Sequence, residues 1–415
     1  MNKRQVRQIL KDTDYIHISG SPEEKKAAEY LKARCEELGV KAWLEEFEVQ
    51  IGEVQSASLT VRTRDGKEKE IPCKGFRLCG SGTVEAPLVY LPDLDPASLT
   101  RAKDAIVLLD VGVGYFTYHD LLDNGVKGII TYDGNVHYRD RDIDLKELRP
   151  HVVGEGGTKT LAVNINAKDA FAIVKSGAVS AKISVKQKES SGRSRNVIAE
   201  IPGETDEWIV LSAHLDTTPL SRGSYDNMTG CIGLLMVMDA LKGQAHRYGL
   251  RFVFCGSEER GLLGSKAYAA AHESELEKIA LNINLDMIGT YMGHFLARVS
   301  AEEALVSFVR YFAAQRGFGI RASQGVYSSD STPFADKGVP ALSFARIAGP
   351  SQATIHNRYD TPDLLSDEQL LKDGAFITEF TRFMADAVKC PVKREIPEKV
   401  KKSLDEYLAR KRKED

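Results

Sequence analysis

The alternation of hydrophobic and polar positions divides the chain into stretches of different period. Over residues 21–38 apolar positions in SPEEKKAAEYLKARCEEL recur every three to four residues, Ser21 stands ready as a cap, Pro22 occupies the first helical position and Gly39 ends the run. This spacing predicts an amphipathic helix. WLEEFEV and SASLTVRT then alternate with period two, and RDGK followed by KEKEIPCKGF predicts a hairpin, with a domain boundary near Cys73. From there to Gln187 short apolar runs (PLVYL, AIVLLDV, GIITYDG, LAVNIN, KISVKQK) are separated by Gly, Pro and Asp, with brief helical patterns at 118–124 and 169–175. They predict a β-rich insert over residues 73–187.

The polar stretch SSGRSRN reads as a return linker. Beyond it the strands NVIAEI, IVLSAHLD, RFVFCG, ALNINLDMIG and PALSFAR alternate with helical periodicity at 228–242, 261–271, 301–316 and 367–389. That alternation predicts an α/β domain, built from 1–72 and 188–415, with a mixed, mostly parallel sheet sandwiched by helices. The last helix, EKVKKSLDEYLARKRKED, is so highly charged that it reads as a solvated or frayed tail and not as a binding arm. No repeat with a period of roughly 20 to 50 residues is present.

Composition narrows the classes. Hydrophobic residues make up 42% and charged residues 28%, which fits a globular protein and not a disordered chain. With 56 basic and 59 acidic residues there is no basic excess to attract nucleic acid. No stretch reaches the roughly 18 apolar residues of a spanning helix, so no membrane partner is expected. The charged N-terminus MNKRQVRQILKDTDYIHIS lacks the pattern of a secretory signal, and the six cysteines form no CxxC pair. Both features make the cytoplasm the expected compartment.

The candidate chemistry sits at strand ends. IVLSAHLD closes on His214 and Asp216, RFVFCGSEE on Glu258 and Glu259, and NINLDM on Asp286. In open α/β sheets such ends converge on one crevice. Asp226 in GSYDNMTG precedes an apolar helix, where a helix cap is the favoured reading of the residue taken alone, and His356 in TIHNRYDTPD by itself reads as a loop histidine. Together these residues offer imidazole and carboxylate donors without thiolate, the donor set of a catalytic zinc or similar ion and not of a structural cysteine site. One shared carboxylate can bridge two such ions.

AHLD, DNMTG, SEERGLLGS, NLDMIG and IHNRYDT occur here in the order in which the M28 family of co-catalytic zinc peptidases carries its motifs, and the chain resembles that family. The resemblance implies a metal-dependent aminopeptidase acting on peptides with two divalent ions, zinc first among them. His214 and Asp286 would hold one ion, Glu259 and His356 the other, and Asp226 would bridge them. Glu258 would be the general base, Asp216 would orient His214, and Asp360 would do the same for His356. SGSPEEKKAAEYLKARCEELG is similar to the family's leading helix, and APLVYLPDLD, DAIVLLDVG and LLDNGVKGIITYDG to the protease-associated domain that members often insert.

Two positions depart from the family pattern. Ser331, in SSDSTPF, stands where members commonly have a rim histidine, and Ile355 stands where some have an oxyanion-stabilising tyrosine. Tyr327 is then the candidate for that role, against the alternative of an ordinary half-buried tyrosine. Carboxypeptidase activity on the same scaffold, a receptor-like relative without catalysis and a single-zinc glutaminyl cyclase-like acyltransferase are the alternatives. Homo-oligomerisation is left open.

Overall fold

A computed structural model describes residues 1–137, 139, 143–349 and 352–412. In chain order its elements are α1 (Lys3–Asp12), α2 (Pro22–Glu37), β1 (Lys41–Thr63), β2 (Glu68–Ile71), β3 (Lys74–Gly75), β4 (Gly82–Leu91), α3 (Pro96–Thr100), β5 (Ile106–Leu109), α4 (Tyr115–Asp123), β6 (Gly128–Asp133), α5 (Pro150–Val153), β7 (Leu161–Asn166), α6 (Ala167–Ser176) and β8 (Ala178–Ile201). They continue with β9 (Trp208–His214), α7 (Thr229–Leu241), β10 (Gly249–Cys255), α8 (Leu263–Ala271), β11 (Ile279–Leu285), β12 (His294–Ser300), α9 (Glu303–Gln315), β13 (Arg321–Gln324), α10 (Ser331–Asp336), β14 (Ala341–Ile347), α11 (Asp367–Asp386) and α12 (Glu398–Tyr407).

By compactness the chain divides into two units, Met1–Val49 with Arg193–Asp415, and Gln50–Gly192. The expected crossings near Cys73 and Gln187 thus differ from the observed divisions, which fall inside long strands. WLEEFEV and SASLTVRT are one strand, β1, which runs on through QIGEVQ although the alternation is interrupted there. SSGRSRN is not a linker but the middle of β8. Ser190, Ser191 and Arg193 are exposed while Ser194, Arg195 and Asn196 are buried polar residues, and a strand's hydrogen-bond ladder needs no apolar side chain to form.

The first unit contains a mixed sheet in the order β13, β12, β14, β11, β9, β10 and the last part of β8. β9 pairs in parallel with β10 and β11, and β11 with β14, while β8 on β10 and β12 on β14 run antiparallel. The period-two rule then separates the two faces. Val197, Ala199, Ile209, Leu211 and Ala213 join the core shared with α1, α2, α7, α9 and α11. Ile198, Val210 and Val253 face the other way, onto Tyr268 of α8 and Phe334 of α10. This is the helix-sheet-helix sandwich expected for the α/β domain.

The second unit has its own core. There β4, β5, β6 and β7 pair in parallel, β3 runs antiparallel on β7, and the early part of β8 antiparallel on β4.

α1 and the short helices α3, α5 and α10 escape the sequence patterns. α1 carries only Val6, Ile9 and Leu10 as buried residues in an otherwise charged decapeptide. The charged C-terminal helix, expected to be solvated, is α12, and it instead buries Val400 and Leu404 in a small cluster with Ile396, Ala335 and Ala341. Two apolar residues one turn apart suffice to dock it, and its basic end ion-pairs Arg410 with Asp336. Residues 413–415 of that segment lie outside the described residues.

Close packing at one glycine ties the sheet to α8. A Cβ at Gly264 would collide with the carbonyl oxygen of Gly256 and the side-chain oxygen of Asn196, both fixed groups, whereas one at Gly374 would meet only the flexible end of Met236. Gly264→Ala is therefore expected to cost about 1–3 kcal/mol, the usual range for overpacking, and Gly374→Ala clearly less. Thermal unfolding of the two variants measures the difference.

Candidate metal centre

Register brings the strand ends together. Cys255 of β10 lies opposite His214 of β9, and Ser212 of β9 opposite Asn284 of β11, so His214, the turn after Cys255 and Asp286 emerge along one edge of the sheet. His214, Asp216, Asp226 and Asp286 are all at most 4% exposed. His214, Asp226 and Asp286 form one potential ion-binding triad, and Asp226, Glu259 and His356 a second. A third grouping joins His214 to Glu258 and Glu259.

Asp226 is common to both principal triads, and each of its oxygens faces a different histidine. Oδ1 lies 3.0 Å from His214 Nε2, and Oδ2 lies 3.0 Å from His356 Nε2. Asp286 Oδ1 stands 3.7 Å from His214 Nε2, and Glu259 Oε2 3.2 Å from His356 Nε2.

The orientation of His214 decides what can sit among these groups. Its Nδ1 faces the backbone carbonyl of Asp216 at 3.2 Å, so that nitrogen carries the donated proton. Nε2 then turns a lone pair toward the carboxylates of Asp226 and Asp286, acceptor against acceptor. Asp286 Oδ1 is buried and receives no hydrogen bond. A cation among these atoms resolves the conflict, and the nitrogen and carboxylate donors suit zinc or a similar divalent ion.

The electrostatics carry the same message. Burial opposes protonation of His214, yet Glu258, Asp226 and Asp286 outweigh it and hold its pKa well above the ordinary histidine value. His356 is pushed up to about 11, against its own desolvation, by Asp226 and Glu259. Both imidazoles are thus driven to take on the positive charge that the carboxylates require. Glu258 is held well above the carboxylate range by burial, which His214 opposes and Glu259, Asp330 and Asp286 reinforce.

Local sequence explains how each group is held. Asp226 lies in a turn, Ser224–Met228, where its own backbone and that of Asn227 are non-helical, and α7 begins beyond it without a side-chain cap, so Asp226 is not the cap that its position before an apolar helix also allows. Asn227 donates to the Leu285 carbonyl at 2.9 Å and accepts from the amides of Gly230 and Met287, which ties this turn to the strand that ends in Asp286. Gly230 is required because a Cβ there would collide with Asn227 and the Leu285 carbonyl. Asp216 accepts from the amides of Glu258 at 2.8 Å and Glu259 at 3.3 Å, with its Oδ1 3.7 Å from His214 Nδ1. It therefore orients the histidine chiefly through its carbonyl and the glutamate turn through its carboxylate.

Asp360, expected to orient His356, does something else. Its carboxylate accepts from the amides of Tyr225 at 2.7 Å and Asp226 at 3.1 Å and from Ser221 Oγ at 3.2 Å, fixing the turn that carries Asp226. Nothing in TIHNRYDTPD announces this, because the partners lie about 135 residues away. Ser331 is buried, 2.8 Å from Ser343 Oγ, and Ile355 packs against the core. Tyr327 is half-buried, and burial followed by the carboxylates of Asp286 and Asp226 raises its phenol pKa, which sets the ring within the field of the site. Asp330, which the motif pattern passed over, is fully buried, with Oδ1 on Ser265 Oγ at 2.5 Å, and is raised to about 6 by burial.

Residues 196–381 match the model of peptidase family M28, a span that contains every residue of both triads. Aminopeptidase YwaD of Bacillus subtilis is 27% identical over 320 residues, covering 73% of this chain and 66% of that protein. Leucine aminopeptidase 2 of Arthroderma otae is 35% identical over 127 residues, 30% of this chain and 26% of that protein. The chain thus spans just under two thirds of the first relative and about a quarter of the second. The fold is shared with a zinc aminopeptidase from Bacillus subtilis (TM-score 0.76, 21% identity, 95% of this chain and 97% of that one). It is shared also with an aminopeptidase from Aneurinibacillus sp. strain AM-1 (TM-score 0.74, 22% identity, 94% and 96%).

If Asp360 acts by fixing the Asp226 turn, Asp360→Ala should weaken zinc binding by about 10- to 100-fold, the usual effect of losing a group that orients a ligand. Competition against a chromophoric chelator measures this. Unchanged zinc affinity would show that the Asp226 turn stands without Asp360.

Proposed function

With residues 196–381 belonging to peptidase family M28, we propose that this chain is a metal-dependent aminopeptidase that removes N-terminal residues from peptides at a site for two divalent ions. The observation that carries the reading is the split carboxylate of Asp226, one oxygen toward His214 and the other toward His356. His214 and Asp286 would hold one ion and Glu259 and His356 the other, with Asp226, common to both triads, serving each. When bound, such ions supply Lewis acidity, which polarises the scissile carbonyl and makes water a better nucleophile near neutral pH.

The chain's own residues handle the proton. Glu258 lies with His214 and Glu259 at the centre and is not needed by either principal triad. Its carboxylate takes the proton of the attacking water and returns it to the leaving amine nitrogen as the C–N bond breaks. Tyr327, whose phenol lies in the field of Asp286 and Asp226, would donate its hydrogen to the oxyanion that forms from the carbonyl oxygen.

Preference for a free amine follows from the charges. The buried groups around the ligands that no ion claims are acidic: Asp216, Glu258, Asp330 and Asp360. Arg346 is engaged by both oxygens of Asp373, and Arg260 donates to Ser19 Oγ. Burial holds the pKa of each of these acids above the ordinary carboxylate value, so the reading rests on the arginines: with both engaged, neither is left to receive the carboxylate of a carboxypeptidase substrate.

The parallel strands β4 to β7 with α4 and α6 support reading the second unit as a protease-associated domain. All six cysteines are free thiols, which supports a reducing compartment such as the cytoplasm.

Peptides with free or acetylated N-termini and free or amidated C-termini test the specificity. Cleavage should require the free amine and ignore amidation, and the reverse pattern would make the enzyme a carboxypeptidase. Glu258→Gln should keep its zinc while turnover falls about a hundredfold to ten-thousandfold, and Glu259→Gln should lose zinc first. Near-normal turnover of Glu258→Gln would remove the general-base assignment.

A further inference from the structure

We propose that Glu24 is a positioning residue for the glutamate pair: through Ser257 and Ser19 it holds the left-handed turn from which Glu258 and Glu259 project. The inference rests on the roles given above to those two glutamates. Glu24 is fully buried, the third residue of α2, and lies 233 residues from Ser257.

Its two oxygens do different work. Oε2 accepts from the Gly20 amide at 2.7 Å, close to the usual duty of a glutamate in the first turn of a helix. Oε1 is not used by the helix. It accepts from Ser194 Oγ at 2.5 Å and from Ser257 Oγ at 3.5 Å. Ser257 Oγ also hydrogen-bonds Ser19 Oγ, which in turn accepts from Arg260 Nη1 at 3.3 Å. Residues on both sides of the glutamate pair are therefore tied to the segment that begins α2.

The backbone between them leaves little freedom. Ser257 is fully buried with φ of 57°, a left-handed conformation that an L-residue adopts only at a cost and that must be held by its surroundings. At the preceding Gly256 a Cβ would lie 2.6 Å from Ser194 Oγ and 2.9 Å from Glu24 Oε1, so the strand end is pressed directly against this cluster. Asp216 meanwhile holds the amides of Glu258 and Glu259 from the other side. Two carboxylates thus grip the turn, Asp216 on its N–H groups and Glu24 on the serine before it. The direction in which each glutamate leaves the backbone depends on both.

The test compares Ser257→Ala, Ser257→Gly, Glu24→Gln and the double variant Glu24→Gln/Ser257→Ala, reading kcat, KM and zinc affinity on the zinc-loaded full chain. Alanine keeps the demand for a left-handed residue but removes the hydroxyl contacts, so kcat and zinc affinity should each fall about tenfold or more, as when a ligand-orienting group is lost, with KM little changed. Glycine adopts positive φ freely and should recover most of the loss. Glu24→Gln should lower the same two quantities, and the double variant should be scarcely worse than Ser257→Ala, as residues acting through one contact are non-additive.

A lowered melting temperature with unchanged kcat and zinc affinity would reduce Glu24 to a cap of α2 and overturn the proposal. Effects that multiply in the double variant, or a glycine variant no better than alanine, would also overturn it. If the wild-type chain cleaved no peptide, the aminopeptidase reading would fail, while the zinc-affinity comparison would still decide the role of Glu24.

Discussion

One buried carboxylate facing two histidines governs the centre of the first unit. Asp226 offers Oδ1 to His214 and Oδ2 to His356, and neither imidazole can meet it comfortably as a neutral acceptor. His214 has its Nδ1 proton committed to the Asp216 carbonyl, so the atom aimed at Asp226 is a lone pair unless positive charge is supplied. Around this contact Asp286, Glu258 and Glu259 add further negative charge in a place with little water to screen it. Divalent cations would supply the missing charge, and the two triads that share Asp226 underlie the proposal of two of them. The elements that hold Asp226 in place can be understood as the framework such a site requires.

That framework is made of long-range polar contacts at strand ends and not of the ligands alone. Asp360 and Asn227 fix the turn of Asp226, Asp216 fixes the glutamate pair, and Ser257, Met287 and His356 sit in left-handed conformations beside or at ligand positions. Each such residue costs of order 1–3 kcal/mol. The hydrophobic sandwich around β9, β10 and β11 offsets that strain, since nearly every residue of these strands is buried. Local strain and extensive burial so occur side by side, the strain at the edge of the sheet and the burial along its length.

The sequence shows the ligands more readily than the framework. His214, Glu259 and Asp286 follow apolar strands directly, so periodicity places them at strand ends, and the order of the motifs relates them to Asp226 and His356. Asp360, Asn227 and Glu24 act on partners from 58 to 233 residues away, and no local spacing reports such a contact. The same limit appears in the fold. The α/β sandwich is legible because its strands are apolar and regularly spaced, while β8 is hidden by a polar, glycine-containing middle, and the docking of α12 by its resting on only two buried apolar residues. Pattern shows which side chains need burial, but backbone pairing and single docking contacts leave little trace in it.

The shared carboxylate is tested most directly by counting ions. After saturation with zinc and removal of loosely bound metal, elemental analysis of the wild-type chain should give two zinc ions per molecule, since Asp226 presents one oxygen to each of two triads. A stoichiometry that stays at one ion per molecule would contradict a bridging role for Asp226 and with it the two-ion centre.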